Sequence, residues 1–256
     1  MSSIPAALPV GPTDPYDNQP PLTEPQRVGN TFTAPAKTFA DIRRNRSWWL
    51  PLLIVALFTY LFVGVALTKV GPTNLAVGSI KNNPTQAEKM QNASPEERER
   101  MVSITAAILK VSLLVSPLFV LLSAAIGALL LWVGFNFILG GSGTYPGMFA
   151  VMIFSFLPGI LRSLLVTAVM LFGDTENFNL NDPIGTNPGF FLGPDASHFL
   201  KAMLGSLDVF SIWTLVLMAM GGAIVARVKV KSGMVMVFAV WFIYVLGKAA
   251  VVGAMS

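Results

Sequence analysis

WWLPLLIVALFTYLFVGVALT, residues 48–68, decides the fold. From Leu50 to Thr68 it carries no charged side chain, and its apolar residues run on continuously instead of recurring at strand or helix-face spacing. About 20 such residues wound as an α-helix cover the ~30 Å hydrocarbon core of a bilayer. Trp48 and Trp49 stand at the start, where an aromatic belt belongs, and Pro51 falls in the first turn, where its missing N–H costs nothing. The stretch reads as a first membrane span, residues 48–68.

Four more spans follow downstream, at 108–139, 147–172, 207–226 and 234–254. Ser94-Pro95-Glu96-Glu97 is a helix start outside the membrane: a capping Ser, Pro at the first helical position and acids in the positive first turn. That helix is expected to run through span two, kinked or packed around Pro117, to the tight turn Gly140-Gly141-Ser142-Gly143-Thr144-Tyr145-Pro146. In span three Pro158-Gly159 is expected to bend the helix and free a backbone carbonyl near mid-membrane, with Arg162 one turn later. Asp174 to Ser197 is dense in Gly and Pro and reads as an extramembrane loop, whose end caps a short helix through Leu204. Span four leads through the basic connector Arg227-Val228-Lys229-Val230-Lys231 into span five.

Composition agrees with lipid as the solvent. The 256 residues are 54% hydrophobic and 12% charged, against about 25% charged in soluble domains, and a soluble fold of this size cannot bury so much apolar surface. With no cysteine, disulfides, thiolate metal ligands and a Cys nucleophile are excluded. The net charge of +4 does not indicate nucleic acid, because Lys and Arg cluster beside the apolar runs, where anionic headgroups meet them. Membrane lipids are the expected partners.

Residues 1–30 hold Pro5, Pro9, Pro12, Pro15, Pro20, Pro21 and Pro25 and little to bury. They are expected to form a disordered tail, with no cleavable signal, ahead of a transmembrane domain at 31–256. Between them Thr31–Ser47 sets Phe32, Phe39 and Ile42 among Lys37, Arg43, Arg44 and Arg46, the pattern of a short helix lying in the headgroup layer. Arg43, Arg44, Arg46, Trp48 and Trp49 are thus expected interfacial anchors. The basic residues before span one and between spans four and five place the tail in the cytoplasm and, with five spans, Ser256 outside.

The fold class is therefore all-α, a five-span polytopic helix bundle, and few of its groups suggest chemistry. Asp208 at the mouth of span four and Arg162 within span three are ionisable groups near hydrocarbon, costly there unless paired or hydrated. They read either as part of a polar path with Pro158, or as an interfacial acid and a snorkelling or paired Arg. Lys110 and Lys248 reach an interface on long stems. His198, with Asp195, Asp174 and Glu176, shows no metal-specific spacing. There is no GxSxG elbow, HExxH or Walker loop, and Gly140, Gly141 and Gly143 lack the preceding strand of a phosphate cradle. No enzymatic activity, cofactor or metal is expected. Small residues four apart, Ser123 with Gly127, Ala219 with Ala223, Gly222 with Ala226 and Ala249 with Gly253, allow close helix approach, within the chain or in a homo-oligomer.

Phe39-Ala40-Asp41-Ile42 followed by Trp48, Trp49, Leu50, Pro51 and Leu52 resembles the entry to the first helix in bacterial members of the Yip family, the Rab/Ypt-interacting proteins. Leu207-Asp208-Val209-Phe210-Ser211-Ile212-Trp213, then Gly221-Gly222, the basic connector and Trp241-Phe242-Ile243-Tyr244, resembles that family's last two helices. The resemblance spans Phe32 to about Gly247 and implies five spans, a cytoplasmic N-terminal tail and, for a bacterial-type member, the inner membrane. Eukaryotic members of that family are linked to Rab GTPases, vesicle traffic and organelle membrane organisation; this sequence departs from their pattern in having no Asp-Leu-Tyr-Gly-Pro motif before span one. The expected function is a non-enzymatic membrane scaffold recruiting a protein through its tail or organising lipid, with Asp208 and Trp213 fixing the last helices. The alternative is a small transporter or channel with a polar path near Arg162 and Asp208.

Overall fold

A computed structural model describes residues 20–81, 83–173, 183–193 and 195–254. The regular structure among them is helical. Thr23 opens α1 (Glu24–Thr33) through a capping box in which its hydroxyl accepts from the Gln26 N–H and the Gln26 side chain accepts from the Thr23 N–H. The expected disordered tail is corrected accordingly: Glu24–Asn30 is helix, while residues 1–19 lie outside the described residues. Pro25 does not oppose this helix, since a proline in the first turn sacrifices no helical bond.

After a one-residue break comes α2 (Pro35–Ile42). Thr38, Phe39, Asp41 and Ile42 are all buried, so this helix is not the headgroup-layer helix expected from its sequence. Its apolar side is packed on protein. A β-carbon at Gly221 would lie 2.7 Å from the Phe39 ring, so glycine is what lets that ring seat against the bundle.

The spans follow. α3 (Trp49–Val65) continues through the π-helical turn Ala66–Val70 as one 22-residue apolar helix. α4 (Pro72–Lys81), α5 (Pro84–Asn92) and α6 (Pro95–Leu114) fill the connection to span two, and the Ser94 capping box starts α6. Span two itself begins later than expected, at α7 (Ser116–Val133) with the π turn Gly134–Ile138, because the helix breaks at Val115. Pro117 cannot donate to the Leu113 carbonyl; the Ser116 hydroxyl does so instead, at 2.7 Å.

Span three is α8 (Tyr145–Ser155) and α9 (Pro158–Phe172), divided at Phe156-Leu157. The carbonyl that Pro158 leaves without its helical donor, that of Phe154, is not free as expected, since it accepts from the Leu157 N–H at 3.2 Å. The short α10 (His198–Gly205) precedes α11 (Val209–Ala226) and α12 (Val230–Ala254), spans four and five. All five spans, Trp49–Val70, Ser116–Ile138, Tyr145–Phe172, Val209–Ala226 and Val230–Ala254, are long and apolar enough to cross a bilayer.

α11 sits at the centre, against α2, α8, α9 and α12; α7 packs on α8, and α3 on α9. Small residues mediate these contacts. Gly222 leaves space for the fully buried Phe135 ring, Gly233 of α12 meets Ala219 and Ala223 of α11, and Gly127 of α7 meets Met152 of α8. Outward faces stay apolar and exposed, as at Leu57, Leu118, Leu130 and Ile243, which is the surface hydrocarbon solvates.

Candidate functional site

Two charged joints tie this bundle together, one at the start of α11 and one where α1 and α2 meet α8. The first was expected from sequence in its members but not in its full geometry. Asp208 has extended backbone and caps α11: its Oδ1 accepts from the N–H groups of Phe210 at 3.1 Å and Ser211 at 3.0 Å, and from the Ser211 hydroxyl at 3.3 Å. Its Oδ2 accepts a short hydrogen bond from the Thr186 hydroxyl and faces Arg162 Nε of α9 at 3.8 Å. The Thr186 carbonyl accepts from the Val209 N–H, so the loop after span three is bound to the same helix end by two bonds.

Asp208 is thereby consumed by five contacts from four residues. It satisfies orphan amides of a helix start that would otherwise be unpaired in a low-dielectric setting. Arg162 remains 37% exposed along its side chain and, with Asp208, Gly159, Ser211, Thr214 and Trp241, lines an open cleft of about 300 Å3. Pro158 is buried at the helix break beside it. The Trp213 ring meets Phe32 of α1 edge to face, with centroids 5.9 Å apart, a contact the sequence did not suggest.

The second joint centres on Arg27, which the sequence reading placed in a disordered tail. Its side chain is fully buried. Nη1 donates to Glu24 Oε1 and to the Ser47 carbonyl, both at 3.1 Å, and Nη2 to the Asn45 carbonyl at 2.6 Å. Nε lies 3.4 Å from Asp41 Oδ2, an ion pair without hydrogen-bond alignment, and the guanidinium carbon stands 5.0 Å from the Phe154 ring centroid. Asp41 Oδ1 in turn holds Arg44 at 3.1 Å. The hydroxyls of Thr31 and Thr38 both donate to the Arg27 carbonyl, which joins α1 to α2.

One guanidinium thus connects α1, the end of α2, the linker into span one and α8. The signal that reveals it in sequence is Thr23-Glu24-Pro25-Gln26, a capping box with an early proline, which makes Arg27 a first-turn helical residue. Thr186 has no such signal, standing in a breaker-rich loop.

Of the residues expected as interfacial anchors, Arg44 is drawn onto Asp41, Trp48 packs edge to face on Phe149 at 5.2 Å, Trp49 is 55% exposed, Arg46 is exposed and Arg43 half-buried. Lys248 donates to the Ser206 hydroxyl at 3.4 Å, and Lys110 is exposed. His198 starts α10; Asp174 and Glu176 lie outside the described residues, among which no His, Asp and Glu group has a metal-binding arrangement.

Compared with known proteins, residues 29–251 match the Yip1 domain. The membrane protein YknW of Bacillus subtilis (strain 168) is 26% identical over 218 residues, covering 84% of this chain and 85% of that protein. No solved structure matches. The match takes in all five apolar helices except the last few residues of α12, together with the second half of α1 and all of α2, and the chain is a member of the Yip1 domain family of integral membrane proteins.

Proposed function

We propose that this protein is a non-enzymatic membrane scaffold whose working surface is the α1–α2 platform, held at the cytoplasmic face of a bacterial inner membrane. The observation that carries the proposal is the buried Arg27 network. A full guanidinium with its carbonyl and carboxylate partners is committed to fixing two short helices rigidly onto the spans. The Pro-rich residues 1–19 precede this platform in sequence, and proline-rich segments serve as recognition motifs for aromatic-lined grooves. The charges nearest hydrocarbon support the same reading, since Asp208 is spent on capping α11 and on Thr186.

One observation favours a transporter instead. The cleft at Arg162 adjoins a second of about 280 Å3, which shares Gly159 and Thr214 and adds Thr59, Ser123 and Ser163, so polar groups follow one another along the bundle. The two readings separate in vesicles containing the full chain and loaded with ionic and neutral dyes. The scaffold reading expects leakage equal to protein-free vesicles, together with a discrete cellular crosslink from a photoreactive residue at the exposed Gly29. Flux that Asp208→Asn or Arg162→Gln abolishes, with the fold intact, overturns it.

A further inference from the structure

At the end of the bundle opposite Asp208, three chain segments converge on a pocket. Arg43 and Arg46 follow α2, Ser142 and Thr144 lie in the hairpin before α8, and Arg227 ends α11; together they line a cavity of about 180 Å3 with no acidic residue in its wall. Arg44, their neighbour, turns to Asp41. Among the described residues no carboxylate pairs with Arg46 or Arg227. Two cations gathered without a counter-charge repel each other unless an anion joins them.

The neutral groups point the same way. The Thr144 hydroxyl oxygen accepts from the Gly147 N–H, which leaves its proton to donate, and Thr144 caps α8, whose positive dipole end faces this region. Arg227 has φ +59° at the end of α11, a left-handed position where glycine is the usual occupant. A guanidinium stands there although the backbone favours a residue without a β-carbon.

The chemistry is that of a phosphoryl group: the guanidinium forks of Arg46 and Arg227, two hydroxyls and a helix N-terminus. The volume is smaller than the ~300–1,000 Å3 usual for whole small-molecule ligands and suits one phosphate. Its level in the fold selects the source. Arg46 stands two residues before the exposed Trp48, Thr144 one before the exposed Tyr145, and Arg227 between two spans, which is the headgroup layer. We infer that this pocket binds the phosphate of an anionic phospholipid headgroup of the phosphatidylglycerol class, with Arg46 and Arg227 as the principal donors.

Native mass spectrometry of the full chain in detergent tests this, with phosphatidylglycerol, phosphatidylcholine and inorganic phosphate as separate probes. Phosphatidylglycerol is expected to be retained in preference to phosphatidylcholine, and Arg46→Gln and Arg227→Gly each to weaken retention about fivefold. Glycine suits the backbone at 227, so that variant folds while losing the donor, and Lys89→Gln, at the far end of the molecule, leaves retention unchanged. Phosphate alone raising the melting temperature of the parent but not of Arg46→Gln, without a lipid preference, keeps phosphoryl recognition and assigns it to the soluble ion. Equal retention of both lipids, or undiminished phosphatidylglycerol retention in both arginine variants, overturns the inference. Neither flux nor a protein partner enters this readout, so the scaffold reading stands or falls separately.

Discussion

The Arg27 and Arg162 joints contain the same pair of chemical groups and differ in how they are solvated. Arg27 is fully buried against an Asp41 side chain that is 2% exposed, and two backbone carbonyls and a second carboxylate complete its shell. Arg162 is 37% exposed, 3.8 Å from Asp208, and lines a cleft. In the closed joint the charge has no alternative to its protein partners, so the pair is part of the architecture. In the open one the arginine has other places to go, and the weight falls on what Asp208 does for the helix end.

The largest expected effect follows from the closed joint. Arg27→Met roughly keeps the volume and takes the guanidinium from the buried Asp41 carboxylate, which costs about 3–5 kcal/mol when one partner of a buried pair is removed. In detergent this appears as a lowered melting temperature, and limited proteolysis should cleave within α1 or α2 before the spans. A cost under about 1 kcal/mol, the range of exposed ion pairs, means that Arg44 alone satisfies Asp41, and the contrast between the joints collapses.

The open joint sharpens the comparison through three substitutions. Asp208→Ala removes the cap of α11 and should cost about 1–2 kcal/mol, whereas Asp208→Asn keeps a capping oxygen and should cost a fraction of that. Arg162→Gln should cost about 0–1 kcal/mol, as for other solvent-accessible pairs. Thermal unfolding of the three variants ranks them. If Asp208→Asn proves as damaging as Asp208→Ala, the charge pairing with Arg162 matters more than the cap, and the two joints are alike after all.

The contrast also explains which features are legible in the sequence. Spans are written in uninterrupted apolar runs, so their number and approximate place follow from transfer to hydrocarbon alone. Asp208 was legible because a lone acid at the edge of an apolar run has few roles. Arg27 was not, because the prolines around it weigh toward disorder unless the Thr23–Gln26 box is recognised, and because its partners Asn45, Ser47 and Phe154 are distant in sequence. The α2 helix was misplaced for a similar reason. An amphipathic helix fits a headgroup layer and a groove beside Gly221 equally well, and only the tertiary contact decides between them.

The smallest effect concerns a carboxylate with no burial at all, which sets the lower limit of the comparison. Glu97 accepts from the Ser94 N–H at 2.8 Å in the capping box of α6, and that backbone bond, followed by the bond to the Ser94 side chain, holds its carboxyl below the ordinary Glu value. Because the folded value is the lower one, the ionised form stabilises the helix start at neutral pH, and the contribution is lost as pH falls through the ordinary range and then through the depressed value. A carboxyl-carbon NMR titration of the full chain should give a Glu97 midpoint below the ordinary Glu value, and Ser94→Ala, which removes the side-chain bond but keeps the backbone N–H, should bring it part of the way back. A midpoint already at the ordinary value means that an exposed cap bond does not persist in solution, and burial, not capping geometry, is then what separates the strong joints of this protein from the weak ones.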